Sequence, residues 1–252
     1  LFQSNNPLFF FNHSMKIIII GATTGIGKAL AELYIKQGHE VTITGRRIAL
    51  LEEIQNAYPN QQVHIGLMDV AEIDNARLTM EHLADKHGGF DKVVINAGVG
   101  FGKASFDEEI KTIDINVRGF TAIAQWSYNY FKSKGNGHII GVSSLASQYG
   151  SPYAPEYHAS KAFMSNYMQG LRLRSSKYKH HISITDIRPG FVDTPMTKQN
   201  KGMFWVATPE KAAKQIAEAI KSKKNVAYIT KRYFLLAILI KLVPEWLFAK
   251  IF

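Results

Sequence analysis

Tyr157 and Lys161 stand four residues apart in Tyr157-His158-Ala159-Ser160-Lys161, with Ser143-Ser144 upstream and a glycine turn at Gly21-Ala22-Thr23-Thr24-Gly25-Ile26-Gly27. On a helix that spacing puts both side chains on one face, one turn apart. An ammonium beside a phenol favours phenolate and lowers the tyrosine pKa. The pair therefore predicts a proton donor for a carbonyl near neutral pH. With a dinucleotide pocket at the glycine turn, it predicts hydride transfer.

The glycine spacing is G-x-x-x-G-x-G rather than the commoner G-x-G-x-x-G. Glycine permits a tight turn and lets backbone N–H groups approach a pyrophosphate at a helix N-terminus. An ordinary glycine-rich strand-to-helix turn is the bland alternative. Beyond the second predicted strand the chain reads Thr44-Gly45-Arg46-Arg47. A site for NAD wants an acid here for the ribose hydroxyls, whereas an arginine can pair with a 2′-phosphate. Gly45 offers no carboxylate and Arg46 offers a guanidinium, so NADP(H) is expected over NAD(H). Both arginines could instead be solvated helix-start residues, Arg47 the more readily.

These residues need rigid supports, and the chain supplies an alternating pattern of strands and helices. Lys16–Ala22 reads as a buried strand, because Ile17 to Ile20 is a continuous β-branched run ended by glycine. Further strands are predicted at Val41–Thr44, Val63–Met68, Val93–Asn96, Ile139–Ser143, Ile182–Ile187 and Val226–Thr230. Helices fill the gaps, with long ones near 107–133 and 155–177. Repeated βα units build a doubly wound parallel α/β sheet, with helices on both faces. Thr208-Pro209-Glu210 carries helix-start chemistry: an N-cap threonine, proline at the first position and an early acid.

The chain has 252 residues, 46% of them hydrophobic, which suits one α/β catalytic domain over 15–230. With no cysteine, disulfides, thiolate metal sites and cysteine nucleophiles are excluded. That fits a reducing cytoplasm. Residues 1–14 precede Met15 without periodicity and are expected to be a disordered leader or a remnant outside the native chain. No basic residue precedes their apolar run as a signal peptide requires. Nine histidines raise the question of metal, but His180 and His181 are adjacent and no HExxH or His-x-His occurs, so no metal is expected. His158 is expected to face away from the catalytic face. The net charge is +10, and from Lys221 to Phe252 seven basic residues face one acid, Glu245. A basic surface suits nucleic acid, anionic lipid or a phosphorylated cofactor. No nucleic-acid-binding signature is present, so nucleic acid is not expected.

Together the motifs resemble the short-chain dehydrogenase/reductase family in its classical form, from Lys16 to Thr230. They are the glycine turn, Asp69-Val70, Asn96-Ala97-Gly98, Asn116, Ser144, Tyr157 with Lys161, and Pro189-Gly190 followed by Val192 and Thr194. The family usually has threonine before the first glycine, where this chain has Ile20. The resemblance implies that Tyr157 is the general acid or base and that Lys161 depresses its pKa and hydrogen-bonds the nicotinamide ribose. Ser144 would hold the substrate oxygen, Ser143 fitting less well by spacing. Asn116 would fix a water in a proton relay to Lys161. The cofactor would lie on Gly21, Thr23, Thr24, Gly25, Ile26 and Gly27. Asp69 would meet its adenine amino group and Val70 the adenine flank. Asn96, Ala97 and Gly98 would line its cleft, and Thr194 would take the carboxamide beyond the Pro189-Gly190 turn. A homodimer or homotetramer through the helices near 107–133 and 155–177 is implied as well.

Segments Leu145–Tyr153, Val99–Phe106 and Pro195–Val206 are expected to line the substrate side. Their aromatic and apolar content favours a small, lipophilic ketone or aldehyde. Residues 231–252 form an apolar tail flanked by basic residues. Three uses stay open for it: a cap on its own domain or a neighbouring subunit, an interfacial membrane contact, or a membrane-surface adaptor. Lys241, Glu245 and Lys250 interrupt any 20-residue span. The rival to an enzyme is an NADP(H)-binding sensor or scaffold without turnover.

Overall fold

The isoleucine run Ile17–Ile20 is the centre of the molecule. In the computed structural model, which describes residues 14–198, 202–244 and 246–247, it lies in strand β1 (Lys16–Ile20). Alternate side chains serve opposite faces of a strand. Ile17 and Ile19 accordingly enter one hydrophobic core while Ile18 and Ile20 enter the other. All four are buried, which explains the unbroken apolar run.

The remaining strands are β2 (Glu40–Gly45), β3 (Val63–Leu67), β4 (Lys92–Ile95), β5 (Asn136–Val142), β6 (His181–Pro189) and β7 (Val226–Ile229). They form one parallel sheet in the order β3-β2-β1-β4-β5-β6-β7. The predicted doubly wound architecture is therefore present, and the order reverses between β1 and β4. In such sheets the crevice beyond the carboxyl ends at the reversal point is where ligands bind.

Helices α1 (Gly25–Lys36), α2 (Ile48–Asn56) and α7 (Pro209–Lys221) bury Leu30, Leu51 and Ile216 in the core of one face. Helices α3 (Ile73–Lys86), α5 (Phe120–Lys134) and α6 (Pro155–Lys177) bury Met80, Phe120 and Met164 in the other. Helix α4 (Phe106–Ile113) begins with a capping box between Ser105 and Glu108. Thr208 caps α7 by accepting a bond from Lys211 N at 3.2 Å, as its sequence predicted.

One feature was not predicted. Between α4 and α5 the chain passes through a π-helical turn, Asp114–Gly119, without a break. Such turns hold an extra residue and recur at functional sites. The tail was expected to be helical, with a cap on its own domain among its open uses. Helix α8 (Tyr233–Leu242) lays Tyr233 and Ala237 against Leu145, with Phe191, Tyr228 and Leu236 around them. One stripe of the tail thus covers its own domain. The expected leader lies outside the described residues except for Ser14, as do parts of the tail beyond Pro244.

Candidate active site

At the end of β1 the chain turns at Gly21 with φ +85°, and a Cβ there would meet Ala97 Cα at 2.6 Å. Gly25 opens α1 with φ +58°, beneath Thr194. A side chain at Gly27 would run into the Gly21 carbonyl and come within 2.6 Å of Asn96 Nδ2. That amide donates to Gly21 O at 2.7 Å and ties β4 to the turn. At the helix N-cap Thr24 makes no side-chain cap bond, and the first turn holds no acid. Its leading N–H groups are left for an anion. The cradle therefore fits the pyrophosphate of a dinucleotide.

Arg46 and Arg47 follow β2 at the rim of this cradle. Arg46 pairs with Asp69 Oδ2 at 3.7 Å and stays half exposed. The expectation that Arg47 is merely solvated needs correction. Its guanidinium donates to Thr23 Oγ1 at 2.5 Å and Thr24 Oγ1 at 3.3 Å. Asp69 uses its other oxygen to accept from Ala71 N at 3.0 Å, which fixes the turn after β3.

Deeper in, Ser144 follows β5 and lines the cleft together with Tyr157, near the start of α6. Ser144 Oγ also accepts from Ala146 N at 3.1 Å, capping the short 3-10 turn Leu145–Gln148. Ser143 instead donates to buried Asp186 Oδ1 at 2.5 Å and is bonded by Ser165 at 3.2 Å. Lys161, buried one turn after Tyr157, places its ammonium 5.7 Å from the Tyr157 ring centre. It donates to Val142 O at 3.1 Å. Burial lowers the Lys161 pKa to about 8, the charge of Asp186 acting against that shift.

The phenol contradicts the sequence expectation. Burial raises the Tyr157 pKa above its ordinary value, with the Ser144 hydrogen bond pulling the other way and Tyr149 adding to the rise. Desolvation disfavours the charged form of the phenol. Tyr157 is therefore protonated at neutral pH, a state suited to giving up a proton.

Asn116 sits on the π-helical turn, fully buried. Its Oδ1 accepts from Val99 N at 2.9 Å, while Nδ2 donates to Val99 O at 2.8 Å and Ser160 Oγ at 3.0 Å. Oδ1 and the Lys161 ammonium each lie 3.2 Å from where a Cβ on Gly98 would stand, so the two converge at that point.

A cleft of about 240 Å³, open to solvent, joins the cradle to this cluster. All the predicted site residues line it except Gly27, which packs behind the turn, and Asn116, which lies beneath the wall. The sequence reading missed Gly45, Arg47, Met68 and Val142, which line it too. Their signal was position alone: each sits at or just beyond a strand end. Of the expected substrate-side segments, Val99, Pro195, Met196 and Thr197 line the cleft. Phe204 and Trp205 instead stack near Tyr233, at 5.9 and 5.6 Å between ring centres. His158 does not line the cleft. It bonds Tyr149 O at 2.8 Å and packs its ring edge-on to Tyr149 at 4.7 Å.

At the opposite, amino-terminal ends of the strands, Glu40, His64 and His87 gather donor atoms within 4.8 Å of one another. No pattern in the sequence flagged this trio. The two imidazoles stack at 3.8 Å and 17°, so their lone pairs run side by side instead of converging. Lys16 stands 3.7 Å from the Glu40 carboxylate, adding a positive charge. The trio reads as a hydrogen-bonded strand-end cluster.

Comparison with known proteins bears on the whole arrangement. The family model described as "short chain dehydrogenase" matches residues 15–203. An uncharacterized oxidoreductase of Mycobacterium tuberculosis is 26% identical over 223 residues, covering 85% of this chain and 87% of its own. An NADP-dependent 3-hydroxy acid dehydrogenase of Escherichia coli is 31% identical over 185 residues, 71% of this chain and 73% of its own. A crystal structure of a short chain dehydrogenase/reductase from Burkholderia phymatum in complex with NAD shares the fold. Its TM-score is 0.82 at 17% identity, over 90% of this chain and 92% of that one. The chain belongs to the short chain dehydrogenase family and is an oxidoreductase acting on CH–OH groups.

Proposed function

We propose that the protein is an NADP(H)-dependent reductase of a lipophilic ketone or aldehyde, with Asn116, Ser144, Tyr157 and Lys161 as its proton machinery. The observation that carries this is the convergence of Ser144, Tyr157 and Lys161 in one cleft continuous with the glycine cradle. Bound NADPH would supply the hydride that the carbonyl carbon accepts. Ser144 donates a hydrogen bond to the carbonyl oxygen as negative charge grows there, and Tyr157 delivers its phenolic proton to the same atom. Charged Lys161 stabilises the phenolate left behind. Asn116 holds the Val99 backbone and, with Lys161, marks the inner end of the path by which Tyr157 is reprotonated.

The preference for NADP(H) is supported by Arg46 and Arg47 at the rim and by the absence of an acid at Gly45. The NADP dependence named for the Escherichia coli relative agrees with it. Hydrogen bonds to charged groups contribute roughly 1.5–3 kcal/mol, so Arg46→Ala with Arg47→Ala should weaken NADPH binding about 10- to 100-fold. NADH binding should change far less. Equal losses for both cofactors, read by fluorescence titration, would remove the phosphate contact from the account.

Reduction needs Tyr157 protonated and Lys161 charged. Because the Lys161 pKa is lowered to about 8, its charge is present below that pH and disappears above it. The kcat for carbonyl reduction should hold level through neutral pH and fall as pH rises through about 8. Lys161→Met should be slow throughout and lack that limb. A wild-type profile that instead rises above pH 8 would contradict the assignment.

The substrate preference draws on the apolar Val99, Pro195 and Met196 in the wall of the cleft. Self-association through α4 and α6 has the support of Phe106, Ile110 and Phe163, which are apolar and exposed on those helices.

A further inference from the structure

Helix α8 reads Tyr-Phe-Leu-Leu-Ala-Ile-Leu-Ile-Lys-Leu, apolar around its whole circumference but for Lys241. A helix of that kind is normally covered on every side, by protein or by lipid. Here the protein covers one stripe, Tyr233 and Ala237 with Leu236 beside them. Leu235, Leu239 and Leu242, on the opposite stripe, are 65%, 59% and 74% exposed, and Phe234 and Ile238 flank them at 52% and 45%. Trp246 follows, also exposed.

The cations are placed at the edge of this surface. Lys231 and Arg232 are exposed immediately before the helix. The Arg232 guanidinium lies 5.2 Å above the Trp205 ring. Tyr233 donates to Phe204 O at 2.6 Å, so the exposed Phe204–Val206 segment is held to the helix as one unit. That segment follows the cleft-lining Pro195–Thr197 along the chain.

We infer that the exposed stripe of α8, with Phe204 and Trp205, is a docking surface for an anionic lipid bilayer. The helix has 10 residues, and at about 1.5 Å per residue it spans roughly half the hydrocarbon thickness of a bilayer. Among the described residues no helix is long and apolar enough to cross a membrane. It lies in the interface plane, with Leu235, Leu239 and Leu242 among acyl chains and Lys231 and Arg232 at the headgroups. A second copy of the chain is the weaker occupant. Residues 231–252 carry four basic residues, Lys231, Arg232, Lys241 and Lys250, against Glu245 alone. Residues 231–244 hold Lys231, Arg232 and Lys241 and no acid, so a second copy of the helix brings like charges and no partner for them. Anionic lipid neutralises them. The inference stands independently of the reductase reading, since neither cofactor nor turnover enters it.

The test is co-sedimentation of the full chain with vesicles of phosphatidylcholine alone or mixed with phosphatidylglycerol. Each basic residue near an anionic surface is worth about 1 kcal/mol, roughly a fivefold change in partitioning. The wild type should pellet with the mixed vesicles and much less with phosphatidylcholine alone. Lys231→Ala with Arg232→Ala should bind the mixed vesicles about twentyfold or more weakly. Leu235→Glu with Leu239→Glu should leave the pellet altogether, with an unchanged unfolding temperature because both side chains are exposed. Wild-type protein that stays in the supernatant, or variants that pellet equally, would overturn the inference. So would a Leu→Glu variant whose only change is a smaller assembly in sedimentation velocity, because that result assigns the stripe to a second copy.

Discussion

Tyr157→Phe is expected to lower kcat for carbonyl reduction by about 10³-fold, within the range found for removing a general acid. NADPH affinity should stay within about threefold, because the change removes only a transition-state interaction. The ring keeps its packing, since it lies over Gly100, where a Cβ would stand 2.6 Å from Tyr157 Cδ2. What disappears is the phenolic hydroxyl and the proton it carries. Because burial holds that phenol protonated, the wild type enters each reductive turnover already loaded. Single-turnover kinetics with saturating NADPH separate this from a binding defect. A variant retaining more than about a tenth of wild-type kcat would show that another group supplies the proton.

Gly27→Ala should be nearly as damaging by a different route. Its methyl would meet the Gly21 carbonyl and Asn96 Nδ2, which already bond each other at 2.7 Å. Neither is the loose end of a flexible side chain, so α1 must move away from the β1 turn. Overpacking of this kind costs about 1–3 kcal/mol, and a chain of this size loses roughly 2–4 °C of Tm per kcal/mol. The larger effect is on the cradle, whose N–H groups lose their alignment, and NADPH affinity should fall at least about 100-fold. Gly170→Ala is the control. Gly170 lies in α6 with nothing within 4 Å of an added Cβ. It should hold or raise Tm, by about 0.5–1 kcal/mol of helix propensity. A Gly27→Ala protein with wild-type Tm and NADPH affinity would contradict the packing described for the turn.

The elements that were legible in the sequence are those whose signal is local. The Ile17–Ile20 run could only be a strand buried on both faces, and it is the central strand. Gly21, Gly25 and Gly27 needed no partner to suggest a phosphate cradle, and the Tyr157–Lys161 spacing needed only a helix. What escaped depends on contacts between distant residues. The π-helical turn under Asn116 has no residue-type signature, and its extra residue shows only in the backbone. Arg46 and Arg47 are neighbours, so spacing could not tell which one reaches Thr23 and Thr24. The direction of the Tyr157 shift turned on how much water the folded wall excludes, whereas the sequence showed only the ammonium one turn away. Phe204 and Trp205 looked like substrate-side residues until Tyr233 of the tail was seen to take their rings.

The central claim is that this chain moves hydride from NADPH to a carbonyl carbon. It is tested most directly with NADPH deuterated at C4, offered with aldehydes and ketones of increasing chain length. The account predicts deuterium on the carbinol carbon of the product, with kcat/KM rising with apolar length. NADPH that binds tightly yet transfers no label to any member of the series would contradict it, and would leave a cofactor-binding protein without turnover.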